Sequence, residues 1–261
     1  TWTMNPTIAN GQGIRVQDLM VKEIVEANNW ERPIYFAVTC SEDSKIGLSD
    51  YLRMEGMAFR LVPEKRRAND EFIEPNILKA NLTEPVGYSR DYQPGFKFRG
   101  LNDPTIFFDD NHKRMVQNYR NAFLRLSIHY LGKGQKDLAV NILDEMETKL
   151  PRKLMPIDYW ILYSIGDFYN QAGAKDKFLK IAGEVEKEAE VDFEKNLDNV
   201  QNMMTPFRIL TDIYEQQGKN DKLLELWLKL ERIYPQDPNV QASVNKYRNL
   251  VQGKTDTSKT K

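Results

Sequence analysis

The sequence is poor in the residues that most often mark chemistry. It has one cysteine, Cys40, and two histidines, His112 and His129, in 261 residues. A single thiol excludes an internal disulfide and a four-cysteine zinc site. It leaves the redox compartment undecided. Two histidines outside any HExxH motif argue against catalytic zinc. No apolar run approaches the roughly 18 residues that a membrane-spanning helix needs, and the mean hydropathy is −0.61. Charge of one sign is lacking too. Lys and Arg number 37 and Asp and Glu 38, a formal net charge of −1. That balance argues against a protein that holds nucleic acid by bulk positive charge. No signal peptide opens the chain, and a start on Thr1 sets the expectation of a piece cut from something longer.

What is present suits a folded chain. Hydrophobic residues make up 41% and charged ones 29%, enough for a sizeable core in one large domain or two small ones. Residues 111–252 are rich in Leu, Lys, Glu and Gln at helical spacing. Ala139, Leu143 and Met146 recur three and four apart, as do Leu223, Leu226, Trp227 and Leu230. Each set is one buried helix face. The same half repeats a spacing, Y-x3-G-x2-D. It occurs at Tyr130, Gly134 and Asp137, at Tyr169, Gly173 and Asp176, and at Tyr214, Gly218 and Asp221. A glycine between two amphipathic stretches predicts a left-handed helix cap and a tight antiparallel return. The tyrosine lies one turn earlier, where it can pack into that turn. The tail, residues 253–261, reads GKTDTSKTK and is expected to be disordered.

Residues 1–63 read differently. Val16, Met20, Ile24 and Ala27 share one face of a helix that ends near Asn28 and Asn29. Arg32 and Pro33 lead into IYFAVT, residues 34–39, a short β-rich run. A helical stretch over 48–55, then Gly56, precedes a second run at 59–62. Strand, helix and strand predict a small right-handed βαβ unit with parallel strands. Over residues 64–110 the prolines at 75, 85, 94 and 104 predict an extended, loop-rich connector. The fold class expected is therefore α+β overall and mostly α: a small α/β unit, then an antiparallel helix array over 111–252.

The repeats resemble the tetratricopeptide repeat. The first copy offers Phe123, Ser127, Tyr130, Gly134, Ala139, Leu143 and Pro151. The second offers Leu162, Gly166, Tyr169, Gly173, Phe178 and Ala182, and lacks the closing proline. The third offers Phe207, Thr211, Tyr214, Gly218, Leu223, Trp227 and Pro235. The intervals exceed the standard period of about 34 residues. The strings WTMNP (2–6), RVQD (15–18), NWERPIYFA (29–37), GLSDYL (47–52), EG (55–56) and FRLVP (59–63) resemble a second family. It is the soluble C-terminal region of bacterial membrane proteins related to protein O-mannosyltransferases, long catalogued only as a domain of unknown function. The resemblance implies a bacterial envelope protein with an extracytoplasmic soluble part. Its catalytic acids lie in a membrane half absent here, so no catalytic residue carries over.

Asp109, Asp110, Asn111 and His112 form the densest polar cluster. It offers metal or acid–base chemistry, but the capping rules favour a helix N-terminus. Cys40 has no histidine near it in sequence, and an inert thiol is expected. His129 reads as a packing or surface residue. Asn81-Leu82-Thr83 fits a glycosylation sequon, as chance triplets also do. Lys65, Arg66 and Arg67 read as a solvated basic run. Tyr88, Tyr92, Phe96 and Phe98 interleave with Arg90, Lys97 and Arg99. They could stack on sugars or bases, but fastening the connector to the helical half is favoured.

The repeat surface is the better binding candidate, because stacked helix pairs make an extended face. By position relative to the repeated tyrosine, the first helices should present Asn121, Trp160, Tyr163, Asp167, Asn170, Arg208, Asp212 and Glu215. That mix could hold a peptide or a glycan, or it could be filled from within. The expected function is a non-catalytic interaction module without cofactor or metal, binding protein or glycan and no nucleic acid. It would meet the membrane only through an absent N-terminal part. The alternatives are a free-standing tetratricopeptide adaptor for protein tails and an enzyme using the Asp109–His112 cluster or Cys40.

Overall fold

The computed structural model describes residues 2–4, 6, 13–67, 72–83, 95–195 and 205–257. The chain divides into two compact units, Thr1–Pro156 and Ile157–Lys261. The first holds a small α/β part and one helix pair. The second holds two helix pairs and a further helix.

In the first unit α1 (Val16–Asn28) precedes β1 (Tyr35–Ala37), β2 (Leu52–Met54) and β3 (Ala58–Leu61). A bidentate pair sets the start of α1: Arg15 Nε and Nη2 donate to the Asp18 carboxylate at 2.8 and 3.0 Å, and Asp18 is buried. Asn29 ends the helix in the left-handed region. The apolar stripe of α1 is not covered: Val16, Met20 and Ile24 all stand exposed.

The sheet corrects the βαβ expectation. Its order is β1-β3-β2, and both pairings are antiparallel, with Phe36 opposite Phe59 and Leu52 opposite Leu61. The expected crossover helix is a short 3-10 turn, Ser49–Tyr51, followed by β2. A parallel return needs a crossover of a dozen or more residues, usually helical. Here a strand occupies that stretch and pairs with its neighbour across a three-residue loop. Gly56, at φ 144°, sits in that loop. A Cβ there would meet the Phe96 ring at 2.5 Å, so only glycine fits.

The connector is less loop-like than its prolines suggest. Pro75 opens a helix, α2 (Pro75–Thr83), where it lacks nothing, since the first N–H groups of a helix have no internal partner. Ile73 bridges Met54 in parallel, which extends the sheet beyond β2. Asn81 donates to the Glu55 carbonyl at 2.6 Å, so the sequon asparagine is engaged inside the fold. Phe96 and Phe98 pack on Tyr119 of the next helix, α3 (Asp110–Gly132), at 5.2 Å, and Phe98 reaches Phe123 at 5.8 Å. These two aromatics do fasten the connector to the helix pair. Tyr88, Tyr92 and Arg90 lie outside the described residues. Arg66 stands over the Phe72 ring at 5.3 Å, which gives part of the basic run a packing role.

The helix pairs are α3 (Asp110–Gly132) with α4 (Lys136–Lys149), α5 (Tyr159–Gln171) with α6 (Lys175–Lys195), and α7 (Pro206–Gln217) with α8 (Asn220–Ile233). They form the tetratricopeptide-like part of the fold. α9 (Pro238–Thr257) follows α8 and packs on it. It continues past Gly253, where disorder was expected; residues 258–261 lie outside the described residues.

The three turns are chemically the same. Gly134, Gly173 and Gly218 have φ of 71°, 89° and 66°. The residue after each glycine donates its N–H to the carbonyl of the repeated tyrosine: Gln135 to Tyr130 and Ala174 to Tyr169 at 2.8 Å, Lys219 to Tyr214 at 2.9 Å. Each glycine donates to the residue after the tyrosine, Leu131, Asn170 and Glu215. This is the Schellman arrangement, which satisfies the carbonyls a helix end leaves open. The tyrosines are buried. Where the repeat wants a small residue, Gly166 lets Ile181 of α6 approach; a Cβ there would lie 2.9 Å from Ile181 Cγ2.

One charge is buried beside the first pair. Arg120 is 1% exposed. Its Nη2 donates to the carbonyls of Leu150 and Met155 at 3.0 and 3.1 Å, which ties α3 to the loop after α4. Burial pushes its guanidinium down to about 10, and Glu147 opposes that shift. It therefore stays charged at neutral pH.

Nothing lies within 4 Å of a Cβ built on Gly218, so its cost is set by backbone conformation alone. Gly218→Val should destabilise by about 1 kcal/mol or more. Gly218→Asn should cost clearly less, because asparagine tolerates the left-handed region. Urea unfolding of the two variants checks the order.

Candidate functional site

The first helices of the second unit carry most of the residues expected to bind. Tyr163 of α5 donates its hydroxyl to Asp212 Oδ2 of α7. Asn170 Nδ2 of α5 donates to Gln216 Oε1 of α7 at 2.6 Å. Gln216 in turn donates to Asp212. Tyr247 of α9 donates to Glu215 Oε1 of α7. Asp167 accepts from Gln171 Nε2, one turn on, at 2.7 Å. Tyr163, Asn170 and Asp212 are thus joined in one network through Gln216, and Glu215 pairs separately with Tyr247. Trp160, 44% exposed, and the exposed Arg208 remain open to solvent. Asn121 is an exposed residue of α3, in the first unit.

A second set of bonds joins the helices behind this face. Tyr159 donates to Asp192 and Tyr214 to Glu190, both at 2.8 Å. Lys219, Lys222 and Lys229 meet Glu186, Glu190 and Glu194 of α6. Exposed ion pairs of this kind add little stability singly, but here they line up along one helix seam. A cavity of about 250 Å³ lies on that seam, and Lys222, Lys229, Glu190 and Glu194 are among its walls.

Burial and a neighbouring carboxylate both disfavour a tyrosinate. Tyr159, Tyr163 and Tyr214 are accordingly held well above the ordinary value, by burial first and by Asp192, Asp212 and Glu190 respectively. Burial works to raise Glu190, but the Tyr214 hydroxyl and the Lys222 ammonium outweigh it and hold the carboxyl below its usual range.

The polar cluster at 109–112 is a helix cap. Asp109 Oδ1 accepts from the backbone N–H of His112 at 2.8 Å and lies 2.8 Å from its ring Nδ1. The His112 N–H holds the Asp109 carboxyl below its ordinary value. Among the described residues no three His, Cys, Asp or Glu side chains gather as a metal-binding group. His129 is half-buried with its ring 5.3 Å from Tyr130, and Cys40 is a half-buried free thiol. Sequence reasoning missed Gln216, Tyr247, Asp192 and Glu190. None sits at a repeat signature position, and only α9 docking on α8 puts Tyr247 beside Glu215.

Residues 3–79 match the family model for TMEM260-associated domain 2. The match spans α1, the sheet and the start of α2. No curated protein and no solved structure matches the chain. Among the described residues no helix is long and apolar enough to cross a membrane.

The tyrosines also predict an alkaline limit. Unfolded tyrosines ionise near pH 10, while the folded ones stay protonated. The unfolded state then binds fewer protons, so stability falls as pH rises above about 10. Tyr163→Phe should cost about 1 kcal/mol at pH 7, and that deficit should shrink by pH 11. Urea unfolding of both proteins at the two pH values checks it.

Proposed function

We propose that the chain is a non-catalytic interaction module, the extracytoplasmic end of a bacterial membrane protein of the glycosyltransferase-like, protein O-mannosyltransferase-related kind. The match of residues 3–79 to a TMEM260-associated domain supports the link to a membrane protein family. One observation carries the interaction reading. On the face of α5 and α7, Tyr163, Asn170, Asp212 and Glu215 are held by internal hydrogen bonds, and Trp160 and Arg208 are left exposed beside them. A face stiffened in this way loses little entropy on binding. Aromatic and arginine side chains are the usual energetic anchors of interfaces. The partner class is a protein segment or a glycan. The Asp109–His112 cluster caps α3 through the His112 N–H, which supports a structural role for it over a catalytic one.

The test pairs a binding measurement with an activity assay. A panel of peptides and oligosaccharides is titrated into the full chain. Trp160→Ala with Arg208→Ala should weaken the best ligand about tenfold or more, roughly 1.4 kcal/mol. Lys187→Ala, on the exposed side of α6, should not. Equal weakening by both variants would overturn the reading. So would transfer of mannose from lipid-linked or nucleotide-linked donors that is lost in Asp109→Asn.

A further inference from the structure

We propose that a groove in the second unit, between α7, α8 and the start of α9, binds a free amino acid with an apolar side chain. The groove has a volume of about 310 Å³, the lower end of the range for small-molecule sites. Its floor is apolar, made by Phe207, Trp227, Leu230 and Val240. Phe207, Leu230 and Val240 are buried, and the rings of Phe207 and Trp227 meet edge to face at 4.9 Å. Aromatic packing of that kind sets the floor before a ligand arrives.

Among the described residues the lining carries one cation, Arg208, and one anion, Asp237. No ion pair joins the two. Arg208 spends only its backbone N–H, on Thr205 Oγ1 at 3.4 Å, and its side chain is exposed. Asp237 spends one oxygen: Oδ1 accepts from the backbone N–H groups of Asn239 and Val240 at 2.8 and 3.3 Å and caps α9. Its Oδ2 is left for a ligand. Opposite charges that share an apolar groove without pairing match a ligand that carries both charges itself. Arg208 can take both oxygens of an α-carboxylate at once. Asp237 Oδ2 accepts from the α-ammonium, and the side chain covers the apolar floor. A fatty acid would leave Asp237 unmatched and bring a like charge to it, and an alkylamine would do the same to Arg208. A residue inside a peptide carries neither charge. The groove shares Arg208 with the α5 and α7 face, but it stands whether or not that face binds a protein or a glycan.

The experiment is an NMR titration of the full chain with L-leucine, alongside N-acetyl-L-leucine, L-leucinamide and glycine. Leucine should bind about tenfold or more tighter than each of the other three, which lack in turn the ammonium, the carboxylate and the side chain. Arg208→Gln and Asp237→Asn should each weaken leucine about tenfold. Asparagine caps a helix as well as aspartate does, so Asp237→Asn should remove the charge and keep α9. Circular dichroism should therefore be unchanged in both variants. Asp237 has no part in the α5 and α7 face, so its variant separates this site from that reading. N-acetyl-L-leucine binding as tightly as leucine would assign a peptide C-terminus instead and overturn the proposal. So would glycine binding as tightly as leucine, the absence of saturable leucine binding, or unchanged affinity in Asp237→Asn.

Discussion

The helical part of this protein depends on one recurrent hydrogen bond, from the residue after a left-handed glycine back to the carbonyl of a buried tyrosine. It closes α3, α5 and α7 and turns the chain into α4, α6 and α8. The same tyrosine supplies a buried ring to the core and, at Tyr214, a hydroxyl to Glu190. Backbone closure, core packing and a polar cross-link therefore meet at one residue. This explains why three copies of a sparse spacing suffice to specify three helix pairs. The turn needs only a residue that accepts positive φ and a carbonyl four residues earlier.

That economy also explains what was legible in the sequence. The Y-x3-G spacing carries its own physics, so the turns, the pairing and the buried tyrosines follow from local chemistry. The Asp109 cap is local as well, since an N-cap carboxylate needs only the N–H two or three positions on. The sheet was not legible in the same way. Leu52, Arg53 and Met54 lie inside the stretch read as helical, 48–55, and offer no alternation long enough to separate strand from helix. Their state is set by pairing with Leu61, Arg60 and Phe59, a contact beyond any local pattern. Gly56 was visible as a break, but the close approach of Phe96 that demands glycine there comes from forty residues further along the chain.

The candidate face was legible as a list of positions and not as a chemistry. Tyr163, Asn170, Asp212 and Glu215 fell where the repeat puts its first-helix residues, yet the structure pairs each of them with another side chain. Whether a polar side chain on such a face meets a ligand or a neighbour depends on interhelical distance, which repeat spacing does not encode. Trp160 and Arg208, near the starts of α5 and α7, stay exposed. Over residues 96–99 aromatics interleave with cations, a pattern expected to fasten the connector to the helical half. The fold sorts that pattern in two, sending Phe96 and Phe98 into packing and leaving Lys97 and Arg99 at the surface.

Native-state hydrogen exchange tests the central bond most directly. The amides of Gln135, Ala174 and Lys219 stand just outside helices, in turns whose glycines are exposed to solvent. If each is held by its tyrosine carbonyl, it should exchange as slowly as the amides in the last turn of the preceding helix. Exchange of these three amides at the rate of an unstructured loop would contradict the account.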